Sequence, residues 1–319
     1  MGLDPQARAV LDELEALGSP DLDQVTPSEA RELADAGSVL LSGPGAQDVV
    51  ATDDDVPGPA GPIPVRRYAP ARGDGARAVV VYYHGGGYLL GSLATHDAIC
   101  RDLASDSGAL IVSVDYRLAP EHRFPAAVED CVAALDWVRA HAREIGGDPD
   151  RIAVAGDSAG GTLAAVTANV SRDRPGPPLR FQLLVYPGVG VTEDQPSVRE
   201  NGEGYLLTRR DIEWFTANYL GPDGDQNHPW FDPIHADLAG VAPAHVITAE
   251  FDPLRDGGAA YARRLRSFGV RVTERCYEGQ IHGAFGMQAV VDASRPMIRD
   301  AAEILRHELA GELRPVAAD

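Results

Sequence analysis

Apolar residues recur at Ala7, Val10, Leu11, Leu14 and Leu17, the three-to-four-residue spacing of one helical face. Thr26-Pro27 opens a second helical segment over residues 28–36, with Thr placed to cap and Pro at the first helical position. Two short strands are predicted at residues 47–52 and 63–68. The run Pro57-Gly58-Pro59-Ala60-Gly61-Pro62 between them reads as a hairpin turn at a sheet edge.

From residue 78 the pattern alternates. Residues 78–84 (AVVVYYH) form a near-continuous apolar run, as a strand covered on both faces should. Strands are also expected at 109–116, 151–156, 180–186, 245–250 and 270–277, and helices at 94–107, 126–144, 158–171, 256–268 and 293–309. This alternation predicts an α/β fold with a mostly parallel, doubly wound sheet of about eight strands. The interval between residues 186 and 245 is too long for a plain crossover. It contains an amphipathic helix at 208–219, with Trp214 and Phe215 among its apolar residues. The N-terminal helices have no place in the alternation either, so the two are expected to pack together as a helical cap. The predicted organisation is an N-terminal cap segment (1–45), a first part of the core (46–190), a cap insertion (191–240) and a second part of the core (241–319).

Composition narrows the chemistry. A chain of 319 residues that is 44% hydrophobic supports a sizeable core. No apolar run approaches the roughly 18 residues of a membrane span, and the acidic start Met1-Gly2-Leu3-Asp4-Pro5 does not read as a secretory signal. Cys100, Cys131 and Cys276 are far apart and lack zinc or redox spacing; they are expected to be buried thiols in a reducing, cytoplasmic setting. The net charge of −20 disfavours nucleic acid and anionic membranes as partners. The chain contains no lysine, which removes P-loop, Schiff-base and Ser-Lys chemistries together.

Gly156-Asp157-Ser158-Ala159-Gly160 matches G-x-S-x-G between a predicted strand and a predicted helix. About seventy residues upstream lies His84-Gly85-Gly86-Gly87, a loop of the kind that offers backbone N–H groups to an oxyanion. Ser158 could serve merely as a helix cap, but the paired loop favours a nucleophile. A serine nucleophile needs a base. Of nine histidines, His282 lies after the last strand, at the strand edge where open α/β sheets build their sites. His96, His122, His141 and His307 fall in or beside helices, His228 and His235 in the insertion, and His245 at the start of a strand. His84 is read as an anchor for the glycine loop. Asp252, just after a strand, is the candidate to orient the imidazole. Glu250 should still lie in that strand, and Asp256 reads as a helix N-cap. The order Ser158, Asp252, His282 is that of α/β-hydrolases. Gly86, Gly87 and Ala159 are the candidate oxyanion donors, with Ala159 at a helix N-terminus. Tyr88 and Leu89, after the glycine loop, and Leu207, Trp214 and Phe215, from the insertion, each fit either a substrate wall or ordinary cap core. No metal or cofactor is called for.

On residues 84–87 (HGGG), 115–121 (DYRLAPE), 156–160 (GDSAG), 252–254 (DPL) and 282–283 (HG), the chain resembles the hormone-sensitive-lipase-like esterases, or bacterial family IV, on the α/β-hydrolase fold. The resemblance runs from about residue 45 onward. It implies Ser158, Asp252 and His282 as a triad, Gly86, Gly87 and Ala159 as oxyanion donors, and a helical cap. It also implies that residues 116–121 brace the glycine loop. The phenylalanine usual directly after His-Gly is here Ala284, with Phe285 one place later, so the pocket wall beside His282 is expected to differ. The implied activity is that of a serine carboxylesterase acting on short-to-medium acyl esters through an acyl-enzyme, with a small-molecule ester as partner. Amide or carbamate hydrolysis by the same triad stays open from sequence. Some plant relatives bind a hormone on this fold after losing the triad histidine, but His282 is present here. Family members often dimerise through the sheet edge near the last strand.

Overall fold

The computed structural model describes residues 2–18, 20–73 and 75–310. Two helices come first, α1 (Pro5–Ala16) and α2 (Pro27–Ser42). The Asp4 carboxylate caps α1 by accepting the N–H groups of Gln6 and Ala7, and Thr26 and Glu29 form a reciprocal capping box on α2. α2 continues past the expected end at residue 36. The hairpin β1 (Val49–Gly58) and β2 (Gly61–Pro70) also outruns its prediction, because the Pro/Gly run is strand except at Pro59 and Ala60. Pro57 stands opposite Pro62 next to the turn, at the tip of an edge hairpin where a missing N–H interrupts little.

The alternating region follows as β3 (Arg77–Tyr83), α3 (Asp97–Ser107), β4 (Leu110–Val114), α4 (Ala126–His141), β5 (Gly147–Asp157), α5 (Ala159–Arg172) and β6 (Phe181–Val185). After the insertion, with α6 (Pro196–Asn201) and α7 (Arg209–Leu220), come β7 (Ala244–Phe251), α8 (Arg255–Ser267), β8 (Val272–Ile281) and α9 (Ser294–Leu309). The eight strands form one sheet in the order β1-β2-β4-β3-β5-β6-β7-β8. β1, β2 and β4 pair antiparallel in that order, and all other neighbours are parallel.

Strand alternation divides the core into two layers. Val79, Val81 and Tyr83 point to the side covered by α4, α5 and α8, where they meet Leu135, Leu163 and Leu265. Val80 and Tyr82 point to the other side, where α3 and α9 bring Leu103, Ile298 and Leu305. Burying both faces explains the unbroken apolar runs, and each buried aliphatic side chain contributes roughly 1.5–3 kcal/mol. Cys100 and Cys131 are buried as expected, but Cys276 is exposed. It lies on β8, an edge strand whose residues 273–276 all face solvent.

The N-terminal helices and the insertion meet over the C-terminal ends of the strands. Arg210 of α7 pairs with Asp21 and Asp23. Ala7 and Val10 of α1 pack on Ile281, Met287 and Val291, and the Asp4 N–H donates to the Gly279 carbonyl at 2.9 Å. Among the described residues, no helix is long and apolar enough to cross a membrane.

Candidate active site

β5 ends at Asp157 and α5 begins at Ala159, so the chain reverses at Ser158, which takes φ 54° and ψ −124°. That conformation is strained for a residue with a Cβ and persists only where the surroundings over-determine it. Here the Ser158 N–H donates to the Val185 carbonyl and its carbonyl accepts from Thr162 N–H. The flanking glycines follow from crowding. A Cβ on Gly160 would stand 2.0 Å from the Tyr83 carbonyl oxygen, and one on Gly156 would stand 2.3 Å from that of Gly160.

β7 and β8 end at Phe251 and Ile281, and Asp252 and His282 follow at the same sheet edge as Ser158. His282 Nε2 lies 2.9 Å from Ser158 Oγ. His282 Nδ1 lies 2.8 Å from Asp252 Oδ2. The other oxygen of Asp252 accepts from Leu254 N–H at 2.8 Å. Asp252 is fully buried and His282 nearly so, so little water competes for these bonds. The three residues singled out from sequence therefore meet in one hydrogen-bonded chain.

The loop carrying Asp252 is held from α6, which sequence reasoning missed because six residues are too few to show a period. Asn201 Nδ2 donates to the carbonyls of Glu250 and Asp252, and Ser197 Oγ to that of Pro253. Asp256 is not the helix cap expected. Leu254 occupies that position, and the Asp256 carboxylate instead accepts Ser197 N–H at 2.8 Å while pairing with Arg255. Glu250 does lie in β7, where it accepts Gly279 N–H.

The glycine loop rests on a braced base. The buried His84 ring stacks on Tyr116 at 4.3 Å, and Tyr116 Oη donates to the His84 carbonyl at 2.7 Å. Burial, assisted by the neighbouring His96, pushes the His84 pKa down to about 3, so this ring stays neutral and structural. Arg31 of α2 donates to the carbonyls of Leu89 and Ala119. Residues 116–121 thus brace the loop as anticipated.

A cavity of about 1440 Å³ opens above these groups, with Gly86, Gly87, Ser158, Ala159 and His282 at its base. Tyr88, Leu207 and Phe215 line it, and Phe215 lies so close that a Cβ on Gly87 would stand 2.1 Å from its ring. Leu89 and Trp214 do not line it. Leu89 is fully buried, because the turn closed by its N–H on the Gly86 carbonyl directs its side chain into the core. Trp214 precedes Phe215 by one residue on α7, about 100° around the helix; both are half-buried against the core, but only Phe215 reaches the cavity. Neither Ala284 nor Phe285 lines the cavity. After Gly283 the chain enters the short turn Ala284–Gly286, and both Ala284 and Phe285 are buried in the layer beneath α3 and α9. Gly283 and Met287 form the wall there.

Residues 80–286 match the α/β-hydrolase-fold family. The chain belongs to the hormone-sensitive-lipase-like esterases. These are carboxylic ester hydrolases of the α/β-hydrolase fold. It is 42% identical over 319 residues to the carboxylic ester hydrolase LipN of Mycobacterium tuberculosis, covering 97% of this chain and 84% of LipN. It is 36% identical to the ethyl acetate hydrolase of Pseudomonas putida, covering 97% of this chain and 100% of that one. The hyperthermophilic esterase from the archaeon Pyrobaculum calidifontis superposes with a TM-score of 0.91 at 42% identity, covering 96% and 99% of the two chains. The esterase fold shared with these relatives includes the N-terminal helices, not the α/β sheet alone.

Proposed function

We propose that this family IV esterase is a serine carboxylesterase that hydrolyses short-to-medium acyl esters through an acyl-enzyme on Ser158. The observation that carries the reading is the continuous chain from Ser158 Oγ through both nitrogens of His282 to Asp252. Ser158 Oγ bonds to the ester carbonyl carbon as its proton passes to His282 Nε2. The carbonyl oxygen becomes an oxyanion facing the N–H groups of Gly86, Gly87 and Ala159. Ala159 is the first residue of α5, so its N–H has no partner within the helix. Collapse breaks the ester C–O bond, and the alcohol leaves with the proton from His282. Water then adds to the acyl carbonyl, giving its proton to His282. Ser158 Oγ departs with that proton, and the carboxylic acid is released. Asp252 holds Nδ1–H throughout and stabilises the imidazolium.

The acyl and alcohol groups lie in the cavity beneath a cap built from α1, α2 and residues 191–240. Its apolar lining by Leu207 and Phe215 suits uncharged chains of modest length. The test is a series of nitrophenyl esters from acetate to dodecanoate, with a matched anilide control. Turnover should peak at short or medium chains, exceed anilide cleavage, and fall by about 10³-fold or more in Ser158→Ala. Turnover surviving that substitution would refute the assignment.

A further inference from the structure

Behind the glycine loop lies a second histidine–carboxylate pair that the reaction scheme above does not use. Asp157, the residue before the nucleophile, is buried. Its Oδ1 accepts from Tyr82 Oη at 2.6 Å and from Gly85 N–H at 3.1 Å, and its Oδ2 faces His96 Nε2 at 3.3 Å. A Cβ on Gly85 would stand 2.3 Å from Asp157 Oδ2, so the loop backbone lies directly against the carboxylate. Burial acts to raise the Asp157 pKa, yet His96 and the Tyr82 hydroxyl outweigh it and hold it below the usual carboxylate range.

The hydrogen on His96 Nδ1 can be assigned from its partner. Thr95 Oγ1 donates its only hydrogen to the Ser92 carbonyl at 3.0 Å and accepts Ser92 N–H at 2.9 Å. His96 Nδ1, 2.8 Å from that oxygen, must therefore donate to it. Nε2 stands beside the Asp157 carboxylate, 3.3 Å from Oδ2. Gly85 N–H lies between the two members of the pair, 3.2 Å from His96 Nε2 and 3.1 Å from Asp157 Oδ1. His96 occupies the position just before α3, whose first residue, Asp97, is fixed by Arg66, Arg101 and Tyr68. The pair thus stands on a rigid part of the core and ends on the residue preceding Gly86.

We propose that His96 is a positioning residue for ester hydrolysis: with Asp157 it clamps Gly85, and so aims the N–H groups of Gly86 and Gly87 at the carbonyl attacked by Ser158. This rests on the esterase reading. Oxyanion donors act through placement, and a displacement near 1 Å costs about a hundredfold in rate.

The test uses the full chain with His96→Ala, His96→Gln and Asp157→Asn. It measures kcat, KM, melting temperature and inhibition by a trifluoromethyl ketone, whose serine adduct carries the same oxyanion. His96→Ala should lower kcat by about ten- to a hundredfold, weaken the ketone in the same proportion, and leave KM within about threefold. Gln, whose side-chain amide reaches the Nε2 position, should restore most of the loss. A folded His96→Ala enzyme with kcat within twofold of wild type overturns the proposal, as does lost kcat with undiminished ketone inhibition, or a folded Gln variant no better than Ala. If His96→Ala does not fold, Asp157→Asn decides: wild-type kcat and ketone inhibition overturn the proposal, and a joint loss supports it. Failure of the esterase reading shows separately, as turnover that survives Ser158→Ala.

Discussion

Arg31 and Glu121 form a two-pronged ion pair, with Nη1–Oε1 at 3.0 Å and Nη2–Oε2 at 2.7 Å. The hydrogen bond from Arg31 holds the Glu121 pKa down at about 2. The same guanidinium donates to the Leu89 and Ala119 carbonyls, so the second helix is tied to the segment that supports the glycine loop. The pair itself is largely exposed on the Glu121 side and contributes little. The bonds to the two carbonyls matter more. Arg31→Ala should therefore lower kcat several-fold and destabilise the fold by about 1–3 kcal/mol, whereas Glu121→Gln should leave both near wild type. Chemical denaturation with parallel kinetics checks this, and equal effects of the two substitutions would contradict it.

Stability should fall on the acidic side of neutrality for a reason separate from catalysis. Burial pushes His84 down to about 3, and burial together with Arg275 pushes His245 down to about 4. Both rings are ordinary, near 6.5, in the unfolded chain. Below that pH the unfolded state takes up protons that the folded state refuses, so stability is constant above about pH 6.5 and declines towards pH 4. The slope approaches about 1.4 kcal/mol per pH unit for each ring. Urea midpoints at pH 7.5, 6 and 5 measure this. His245→Gln should flatten the dependence by removing one share, and a midpoint unchanged down to pH 5 would contradict the account.

Asp252→Asn should cost on the order of 10³–10⁴ in kcat with little change in KM. The Asn carbonyl can keep the Leu254 N–H, but its amide then meets His282 Nδ1 as a donor. The proton is driven to Nε2, which can no longer accept from Ser158. A loss below tenfold in a folded variant would argue that Asp252 does not set the tautomer.

Phe215 and Leu89 should respond differently although both were candidates for the substrate wall. Phe215→Ala should shift the acyl-chain optimum towards longer esters at nearly unchanged stability, since the ring lies over Gly87 in the cavity. Leu89→Ala should cost about 2–5 kcal/mol without moving the optimum. A chain-length profile for each, read beside its melting curve, distinguishes the two.

Much of the site was legible without coordinates because its chemistry demands particular residues at particular turns. Ser158 sits where only Gly-x-Ser-x-Gly fits, and His282 and Asp252 each follow a strand that the apolar pattern marked. The bracing segment at residues 116–121 was legible only by resemblance. α6 was too short to see, and its grip on the Asp252 loop joins side chains some fifty residues apart. The clamp of His96 on Asp157 carried no sequence signal, since a histidine beside a helix is common.

Local backbone physics therefore determined the element order, the mostly parallel sheet and the three side chains of the proposed triad, because periodicity and turn chemistry act over a few neighbours. Which face each neighbour of the site presents was decided by tertiary packing. Leu89 turned inward, Trp214 stayed out of the cavity lining, Phe285 was buried beneath α3 and α9, and Asp256 abandoned its cap for Ser197. Local turns set up several of these placements, but the contacts that complete them join residues remote in sequence, and no pattern along the chain records those.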